Sequence, residues 1–152
     1  MYEESLRTPL MIYSPDSKTQ GKVNMDFVMN LDIAPTLLDF AGIRIPEEMQ
    51  GASMKTLIEG ETVPDWRKEL YYHYYEKSYG LTRHYGIRTD KYKLIHFYDP
   101  VDSWELYNLQ TDPSEMLNLI DVPEMQNVVK NLKIRLKELQ AKYKDQVIEE
   151  EK

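Results

Sequence analysis

Apolar and polar positions divide the first part of the chain into short elements. A continuous apolar run over Thr8–Tyr13 is bounded by prolines, which is typical of a strand buried on both faces. Such strands lie in sheets that helices cover, and one strand cannot make a sheet alone, so its partner strands are missing here. From Asp32 to Gly42 the apolar residues follow a helical spacing, with Asp32 as the expected cap and Gly42 as the end. A shorter helix is expected over Ser53–Glu59.

The second half changes to runs rich in aromatic residues, in which apolar and polar positions alternate. Alternation with a period of two is the pattern of a β-strand. Strands are expected over Glu69–Tyr75, Arg83–Arg88, Lys91–Tyr98 and Trp104–Leu109, and Thr89-Asp90 fits the turn of a hairpin. Four consecutive strands joined by short connections predict a small antiparallel sheet.

The end of the chain carries the strongest periodic signal. Apolar residues from Met125 to Tyr143 recur at steps of three and four, and Lys and Glu fill the other face. Pro123 suits the first turn, where its missing N–H removes no hydrogen bond. The pattern therefore predicts a surface helix that packs one stripe on the sheet; a coiled-coil partner helix is the alternative.

These elements predict the α/β class, and more narrowly an α+β fragment in two parts. Residues 1–68 are interpreted as the incomplete end of an α/β domain. Residues 69–145 are interpreted as a small antiparallel four-stranded sheet packed with a C-terminal helix, and residues 146–152 as a disordered tail. Because an unpaired strand edge favours self-association, we expect a homodimer through the edge at Thr8–Tyr13.

Composition excludes several classes of function. The 152 residues include no Cys, which rules out disulfides, thiolate metal sites and a cysteine nucleophile within them. The net charge of −7 argues against nucleic acid as a partner, because an acidic chain repels phosphate. No apolar run approaches the roughly 20 residues that span a bilayer.

The sequence holds no self-sufficient catalytic constellation. It lacks a glycine-rich phosphate loop, a serine nucleophile elbow and a zinc-binding helix motif. His73 and His96 stand in aromatic strand segments, where a hydrogen-bonded structural role is the expectation. The 12 Tyr residues are read as a sheet packing on a helix, with a sugar-stacking platform as the alternative.

Arg83 and His84 are the candidate binding residues. They follow the glycine-containing segment 77–82 at the start of a predicted strand, and Arg88 follows close behind. A loop mouth that carries Arg, His and Tyr suits an anionic or polyhydroxylated ligand. Ordinary surface charges at a loop end explain the same pattern, and both interpretations stay open.

Five motifs in order resemble the type I sulfatases over nearly the whole chain. They are Met1–Leu10, similar to the segment just after the active-site region; Asp32–Asp39 with Ala41-Gly42, similar to the D-I-A-P-T-L-L-D helix; Gln50-Gly51 with Ser53, similar to the Q-G-x-S turn; Tyr85–Ile95, similar to the V-R-T-x-x-Y-K-L strand pair; and Glu105–Leu109 with Asp112-Pro113, Glu115 and Asn118-Leu119, similar to the E-L-Y-D-L…D-P-x-E-x-x-N-L signature.

The resemblance implies an alkaline-phosphatase-like α/β domain followed by a small C-terminal sheet-and-helix domain, of which this chain matches the last third. It implies hydrolysis of sulfate esters, with sulfated carbohydrate as the substrate class. It also implies a formylglycine nucleophile and a calcium ion in the full-length parent, and a periplasmic or extracellular location for that parent. The missing N-terminal catalytic part is then the principal partner of this chain.

The sequence departs from the family pattern at the catalytic positions. It contains no C/S-x-P/A-x-R motif and no paired-aspartate metal motif, which in the family precede the segment matched by Met1–Leu10. No catalytic residue, metal ligand or cofactor is therefore assigned within this chain. By resemblance, a loop of the C-terminal domain reaches the pocket mouth, and Arg83 and His84 are the residues expected to contact substrate there.

Two other functions remain open at this stage. The absence of every catalytic group in the chain also fits a non-catalytic structural or interaction module. Phosphodiesterases and phosphonate monoester hydrolases share this style of C-terminal domain, so the ester could differ while the superfamily stays the same. The motifs at Lys91–Ile95 and Glu105–Leu109 favour the sulfatases.

Overall fold

The computed structural model describes residues 2–15, 18–76, 80 and 82–145. Its helices are α1 (Glu3–Leu6), α2 (Ile33–Phe40), α3 (Lys55–Ile58) and α4 (Gln126–Lys142), with turns of 3-10 helix at Asn30–Asp32 and Pro123–Met125. Its strands are β1 (Glu69–Tyr74), β2 (Arg83–Thr89), β3 (Tyr92–Asp99) and β4 (Ser103–Asn108). The tail expected at residues 146–152 lies outside the described residues. Within the described part, no helix is long and apolar enough to cross a membrane.

The chain divides into two compact units. One comprises residues 9–68, and the other comprises residues 69–152 together with residues 1–8. Residues 1–8 were predicted to belong with the segment that follows them. In the structure they pack with the sheet instead, because Tyr2 donates a hydrogen bond to Glu105 and Glu3 accepts one from Arg88.

The sheet is a simple antiparallel meander in the order β1-β2-β3-β4, which confirms the predicted four-stranded sheet. Ile87 pairs with Leu94, and Leu94 pairs with Leu106, so these three apolar side chains lie side by side on one face. All three are fully buried. The turn between β2 and β3 is closed by Thr89, whose hydroxyl accepts the Tyr92 N–H at 2.9 Å.

Helix α4 covers that face with the stripe that its periodicity predicted. The buried side chains of the helix are Val129, Leu132, Leu136 and Leu139, and they form one core cluster with the sheet. Several tyrosines of the central block also pack against this cluster, namely Tyr71, Tyr85, Tyr92 and Tyr98. These positions confirm the interpretation of a tyrosine-rich sheet packing on a helix.

The unit of residues 9–68 differs from expectation at its start. The strand predicted over Thr8–Tyr13 is absent from the described residues, and that prediction is wrong for this chain. A strand forms only when a neighbouring strand accepts its backbone hydrogen bonds, and the described residues of this unit include no such neighbour. The apolar side chains are left exposed instead, with Met11 at 92% and Tyr13 at 85%. The helix expected over Ser53–Glu59 is shorter, Lys55–Ile58.

Asp32 does not cap α2 with its side chain as predicted. Its carboxylate instead accepts the backbone N–H of Met29 at 2.7 Å and that of Ala52 at 2.9 Å. The guanidinium of Arg67 contacts both carboxylate oxygens, one of them at 2.7 Å. Asp32 is 0% exposed, so it joins three separate stretches of the unit at one buried point.

The loop before α3 is held to α2 by further polar contacts. The Thr36 hydroxyl accepts the Met54 N–H at 2.8 Å, and the Ser53 hydroxyl donates to Asp39 at 2.5 Å. Gly51 is required for this approach, because a Cβ atom there would lie 2.0 Å from the carbonyl oxygen of Leu31. Two of the five family-like motifs, the D-I-A-P-T-L-L-D helix and the Q-G-x-S turn, are therefore joined by structural contacts.

Candidate functional site

The structure places Arg83 and His84 next to each other at the start of β2 but in different surroundings. The sheet register shifts between these two residues. Arg83 pairs with Asp99 of β3, with 3.4 Å between Nη1 and Oδ2, and its side chain keeps a quarter of its surface exposed. A guanidinium that remains partly exposed is suited to contact an anionic or hydroxylated ligand.

His84 is enclosed by aromatic rings. Its imidazole stacks on Tyr74 with 5.4 Å between ring centroids, lies 5.2 Å from Phe97, and meets Tyr72 edge-on at 5.9 Å. The residue is only 9% exposed, and this burial lowers the pKa of His84. The ring is therefore neutral near pH 7.

The tautomer of His84 follows from its hydrogen bond. Nδ1 lies 2.7 Å from the carbonyl oxygen of Thr82, and a carbonyl can only accept, so Nδ1 carries the proton. In the neutral ring Nε2 is then an acceptor; it is buried, and no described residue hydrogen-bonds to it. A partner for Nε2 must be a donor such as a hydroxyl or N–H group; a sulfate oxygen, which only accepts, does not fit.

The two other histidines have structural roles, as expected. His73 lies between Asp145, 2.6 Å from Nδ1, and the Tyr98 hydroxyl, 2.8 Å from Nε2. His96 likewise lies between Asp102 and the Tyr85 hydroxyl, each at 2.8 Å. With both ring nitrogens engaged, neither imidazole is available to a ligand.

Asp145 ties the end of α4 to β1. Its carboxylate contacts His73 and accepts hydrogen bonds from the hydroxyls of Tyr71 and Tyr75, the latter at 2.8 Å. Burial would raise the pKa of Asp145, but the hydrogen bonds from Tyr71, His73 and Tyr75 outweigh it and lower that pKa. Burial and the bond to Asp145 raise the pKa of Tyr75 to about 12.

A pH dependence follows from these two shifts. A carboxyl whose folded pKa is lowered stabilises the fold above its unfolded pKa, and that contribution is lost as pH falls through the folded value. A tyrosine whose folded pKa is raised stabilises the fold below its unfolded pKa. For Tyr75 that contribution is lost as pH rises through its folded pKa of about 12. We expect Asp145→Asn to lower the free energy of unfolding at pH 7 by about 1–2 kcal/mol and to flatten its decline in acid.

Urea unfolding from pH 3 to 7 measures this effect. Asp102→Asn is the matched control, because Asp102 also pairs with a histidine but is 71% exposed at its side chain. Equal acid profiles for Asp145→Asn and the wild-type chain would show that Asp145 does not supply the acid-sensitive stability.

Calcium, expected for the parent, does not fit the buried carboxylates described here. No group of three or more His, Asp and Glu residues that could hold a metal ion occurs among the described residues. Asp32 is paired with Arg67, and Glu115 with Lys93. A hard cation needs six or more oxygen ligands, and these oxygens already face guanidinium and ammonium groups.

An open cavity of about 660 Å³ lies within the unit of residues 9–68. Its walls include the segment Leu10–Ser14, the segment Thr19–Asn24 and the side chains of Met54 and Leu57. Neither Arg83 nor His84 lines it. The cavity is bordered by the exposed apolar segment that the sequence analysis assigned to a strand.

Sequence reasoning missed the buried charges. Lys93 lies within the predicted strand Lys91–Tyr98, yet its side chain is 0% exposed and forms ion pairs with Glu3 and Glu115. The available signal was that all three residues lie in segments that resemble sulfatase motifs. Periodicity alone assigns a charged residue to the solvent side and cannot reveal such a cluster.

Comparison with known proteins now identifies the family. The family model described as N-sulphoglucosamine sulphohydrolase, C-terminal, matches residues 1–142. The chain is 48% identical over 149 residues to the N-acetylglucosamine-6-O-sulfatase of Bacteroides thetaiotaomicron, covering 95% of this chain and 27% of that protein.

The chain is also similar to solved structures. A protein solved in complex with its substrate D-glucosamine-2-N,6-O-disulfate matches with a TM-score of 0.75 and 47% identity, over 80% of this chain and 25% of that one. The phosphonate monoester hydrolase of Agrobacterium radiobacter matches with a TM-score of 0.61 over 74% of this chain and 24% of that one, but at 24% identity it shows a shared fold alone. The chain thus spans about a quarter of the length of its relatives, and it belongs to the sulfatase family.

Proposed function

We propose that this chain is the C-terminal part of a longer sulfatase that hydrolyses sulfate esters on glycans. The observation that carries the proposal is the 48% identity to an N-acetylglucosamine-6-O-sulfatase, which extends over 95% of the chain. The formylglycine nucleophile and the calcium ion belong to the upstream part of such an enzyme. The role of this chain is then to complete the fold and to supply part of the substrate pocket.

The surface of the 9–68 unit supports a role in completing a larger domain. Ile33, Leu37 and Phe40 lie at helical spacing on α2 and are all exposed. The segment Leu10–Tyr13 of the same unit is exposed as well. Soluble proteins seldom leave large apolar surfaces uncovered, so the upstream polypeptide is the proposed covering. Without it, the chain is proposed to form a homodimer through Thr8–Tyr13.

Within the pocket, Arg83 and His84 are proposed to contact the sugar in different ways. Arg83 provides a permanent cation, oriented by Asp99, for an anionic or hydroxyl group beyond the scissile ester. His84 is proposed to offer Nε2, a neutral acceptor that is buried in the structure of this chain, to a hydroxyl or amide N–H. Stacked aromatic rings beside it suit the apolar face of a sugar.

The test uses the full-length polypeptide and sulfate release from glucosamine 6-sulfate. Arg83→Met is expected to raise KM at least tenfold, because a charge-assisted hydrogen bond is worth about 1.5–3 kcal/mol. His84→Phe keeps the aromatic packing and removes the acceptor, so KM is expected to rise about fivefold for the natural sugar. A deoxy analogue that lacks the donor should show no difference between His84→Phe and wild type.

Arg44→Met is the matched control, because Arg44 lies on the other unit in an exposed pair with Glu47. Unchanged KM in both site variants would contradict the placement of Arg83 and His84 in the pocket. Faster turnover of a phosphonate monoester than of any sulfate ester by the wild-type enzyme would favour a phosphonate monoester hydrolase instead.

A further inference from the structure

A buried cluster of charges joins the start of the chain to the sheet. The ammonium of Lys93 lies 2.8 Å from one oxygen of Glu3 and 2.7 Å from one oxygen of Glu115. The other oxygen of Glu115 accepts the backbone N–H of Glu3 at 2.6 Å. Arg88 adds a hydrogen bond of 3.1 Å to the second oxygen of Glu3. We call these four residues the Glu3 clasp.

Forming the Glu3 clasp costs free energy in two ways. Taking an ammonium out of water is unfavourable unless it is paired, and the Lys93 side chain is 0% exposed. Glu115 also adopts a left-handed backbone with φ of 54°, which non-glycine residues rarely use. Strained backbone persists where its surroundings fix it and is concentrated at functional positions. The buried ammonium and the strained backbone of Glu115 therefore both serve to fix the position of Glu3.

What the Glu3 clasp holds is α1. This helix has only four residues, and none of them is buried. Leu6 is the half-buried apolar residue of the helix, so apolar packing attaches it weakly and polar contacts add to that attachment. Tyr2, which precedes the helix, adds a further polar contact: its hydroxyl donates to Glu105 at 3.1 Å, and its ring lies edge-on to Tyr107. The geometry of α1 thus depends on the charges of Glu3.

The pKa of Glu3 agrees with this arrangement. Burial would raise that pKa, but hydrogen bonds from Arg88 and Lys93 lower it overall. The carboxylate is therefore ionised at neutral pH, so its pairing with both cations is complete. A neutral amide at the same position would keep the size of the side chain and lose the ion pairs.

We propose that Lys93 is a positioning residue of the sulfatase: through Glu3 and Glu115 it fixes the point at which the upstream polypeptide enters the sheet unit. This inference rests on the proposed function, in which the upstream part carries the reacting groups. Lys93 does not touch substrate. It acts by holding α1, the first helix after the proposed upstream part, in one place.

The experiment uses the full-length enzyme with Lys93→Met, Glu3→Gln and the double variant. Hydrogen exchange is followed at the α1 amides of Ser5, Leu6 and Arg7, which are bonded to the carbonyls of Tyr2 and Glu3. Both single variants are expected to speed exchange there at least tenfold, while strand amides keep their protection. We also expect kcat to fall at least tenfold with KM changed less than twofold, because the pocket residues stay in place.

Lys91→Met is the matched control, since Lys91 is an exposed lysine two positions away on the same hairpin. The double variant should lose no more kcat and no more exchange protection in α1 than the more strongly affected single variant, because both changes break one cluster. Glu3→Gln, the milder change, keeps the test valid if Lys93→Met does not fold. Faster exchange in α1 with unchanged kcat would overturn the positioning role and leave only a structural one.

The two proposals fail in different ways. Unchanged exchange in both variants would overturn the Glu3 clasp, whatever the enzyme hydrolyses. Faster exchange in a full-length protein that hydrolyses no sulfate ester would overturn the proposed function, and the positioning of sulfatase groups with it.

Discussion

Replacing Asp32 by alanine is expected to lower the free energy of unfolding of the 9–68 unit by about 3–5 kcal/mol, because it leaves Arg67 without its buried partner. The side chain of Arg67 is only 13% exposed, so water cannot replace the lost carboxylate fully. The N–H groups of Met29 and Ala52 lose their acceptor at the same time. A loss of this size approaches the whole stability of a small unit.

Urea unfolding can follow this unit through Trp66, whose indole N–H bonds to the carbonyl of Phe27 at 2.8 Å. A Trp104→Phe background leaves Trp66 as the sole tryptophan, since the chain has two. Asp39→Ala is the matched control on the same helix, because Asp39 is partly exposed and its ion pair with Lys55 is 3.9 Å long. Asp39→Ala should lower the free energy of unfolding by about 1 kcal/mol. A similar loss in both variants would contradict the central role of Asp32.

Self-association of the isolated chain is the second large effect that we expect. The apolar side chains of Thr8–Tyr13 are exposed, and burying apolar surface yields about 25 cal/mol for each Å² removed from water. In sedimentation velocity the chain should therefore run as a dimer or larger species. The double variant Met11→Lys/Tyr13→Lys should run as the 18.1 kDa monomer, because two ammonium groups cannot be buried without partners.

Leu117→Lys is the control for this experiment, since Leu117 is an exposed leucine of the sheet unit. It should leave the sedimentation profile unchanged. A wild-type chain that sediments as a monomer would show that the segment needs no covering. Association that persists in the double variant would move the contact to another surface, such as the exposed stripe on α2.

The sheet unit could be predicted from sequence because its signals are local. Alternation marks each strand, and Thr89-Asp90 marks the hairpin between β2 and β3. The steps of three and four in α4 select the same stripe that the structure buries. For these elements, local pattern and tertiary packing agree, which is the usual condition for a sequence to specify its fold.

The same reasoning failed where a partner was needed. A run such as Thr8–Tyr13 has the composition of a strand, but a strand depends on a neighbouring strand, and the described part of the chain pairs none with it. Asp32 has the right identity for a helix cap, yet Arg67, 35 positions later, takes its carboxylate. By its residue type Lys93 is expected to face solvent, but in the fold it pairs with Glu3, which is distant in the sequence. Long-range charge pairing leaves no periodic trace.

The assignment of Arg83 and His84 to a substrate site stays a prediction. Arg83 and His84 were selected as a pair of basic groups, and the structure separates their chemistry. Arg83 keeps its charge near the surface beside Asp99, while burial among aromatic rings keeps His84 neutral. Sequence alone could not show this, because the pKa of a histidine depends on its enclosure in the folded state.

The most direct test of the account compares sulfate release by this chain alone with that by the polypeptide extended upstream to the full length of its relatives. Glucosamine 6-sulfate serves as substrate, with calcium present and the formylglycine-generating step provided during expression. We predict release by the extended polypeptide and none by the chain alone. Release by the chain alone, or a folded extended polypeptide that cleaves no sulfate ester, would contradict the claim that this chain is the non-catalytic C-terminal part of a sulfatase.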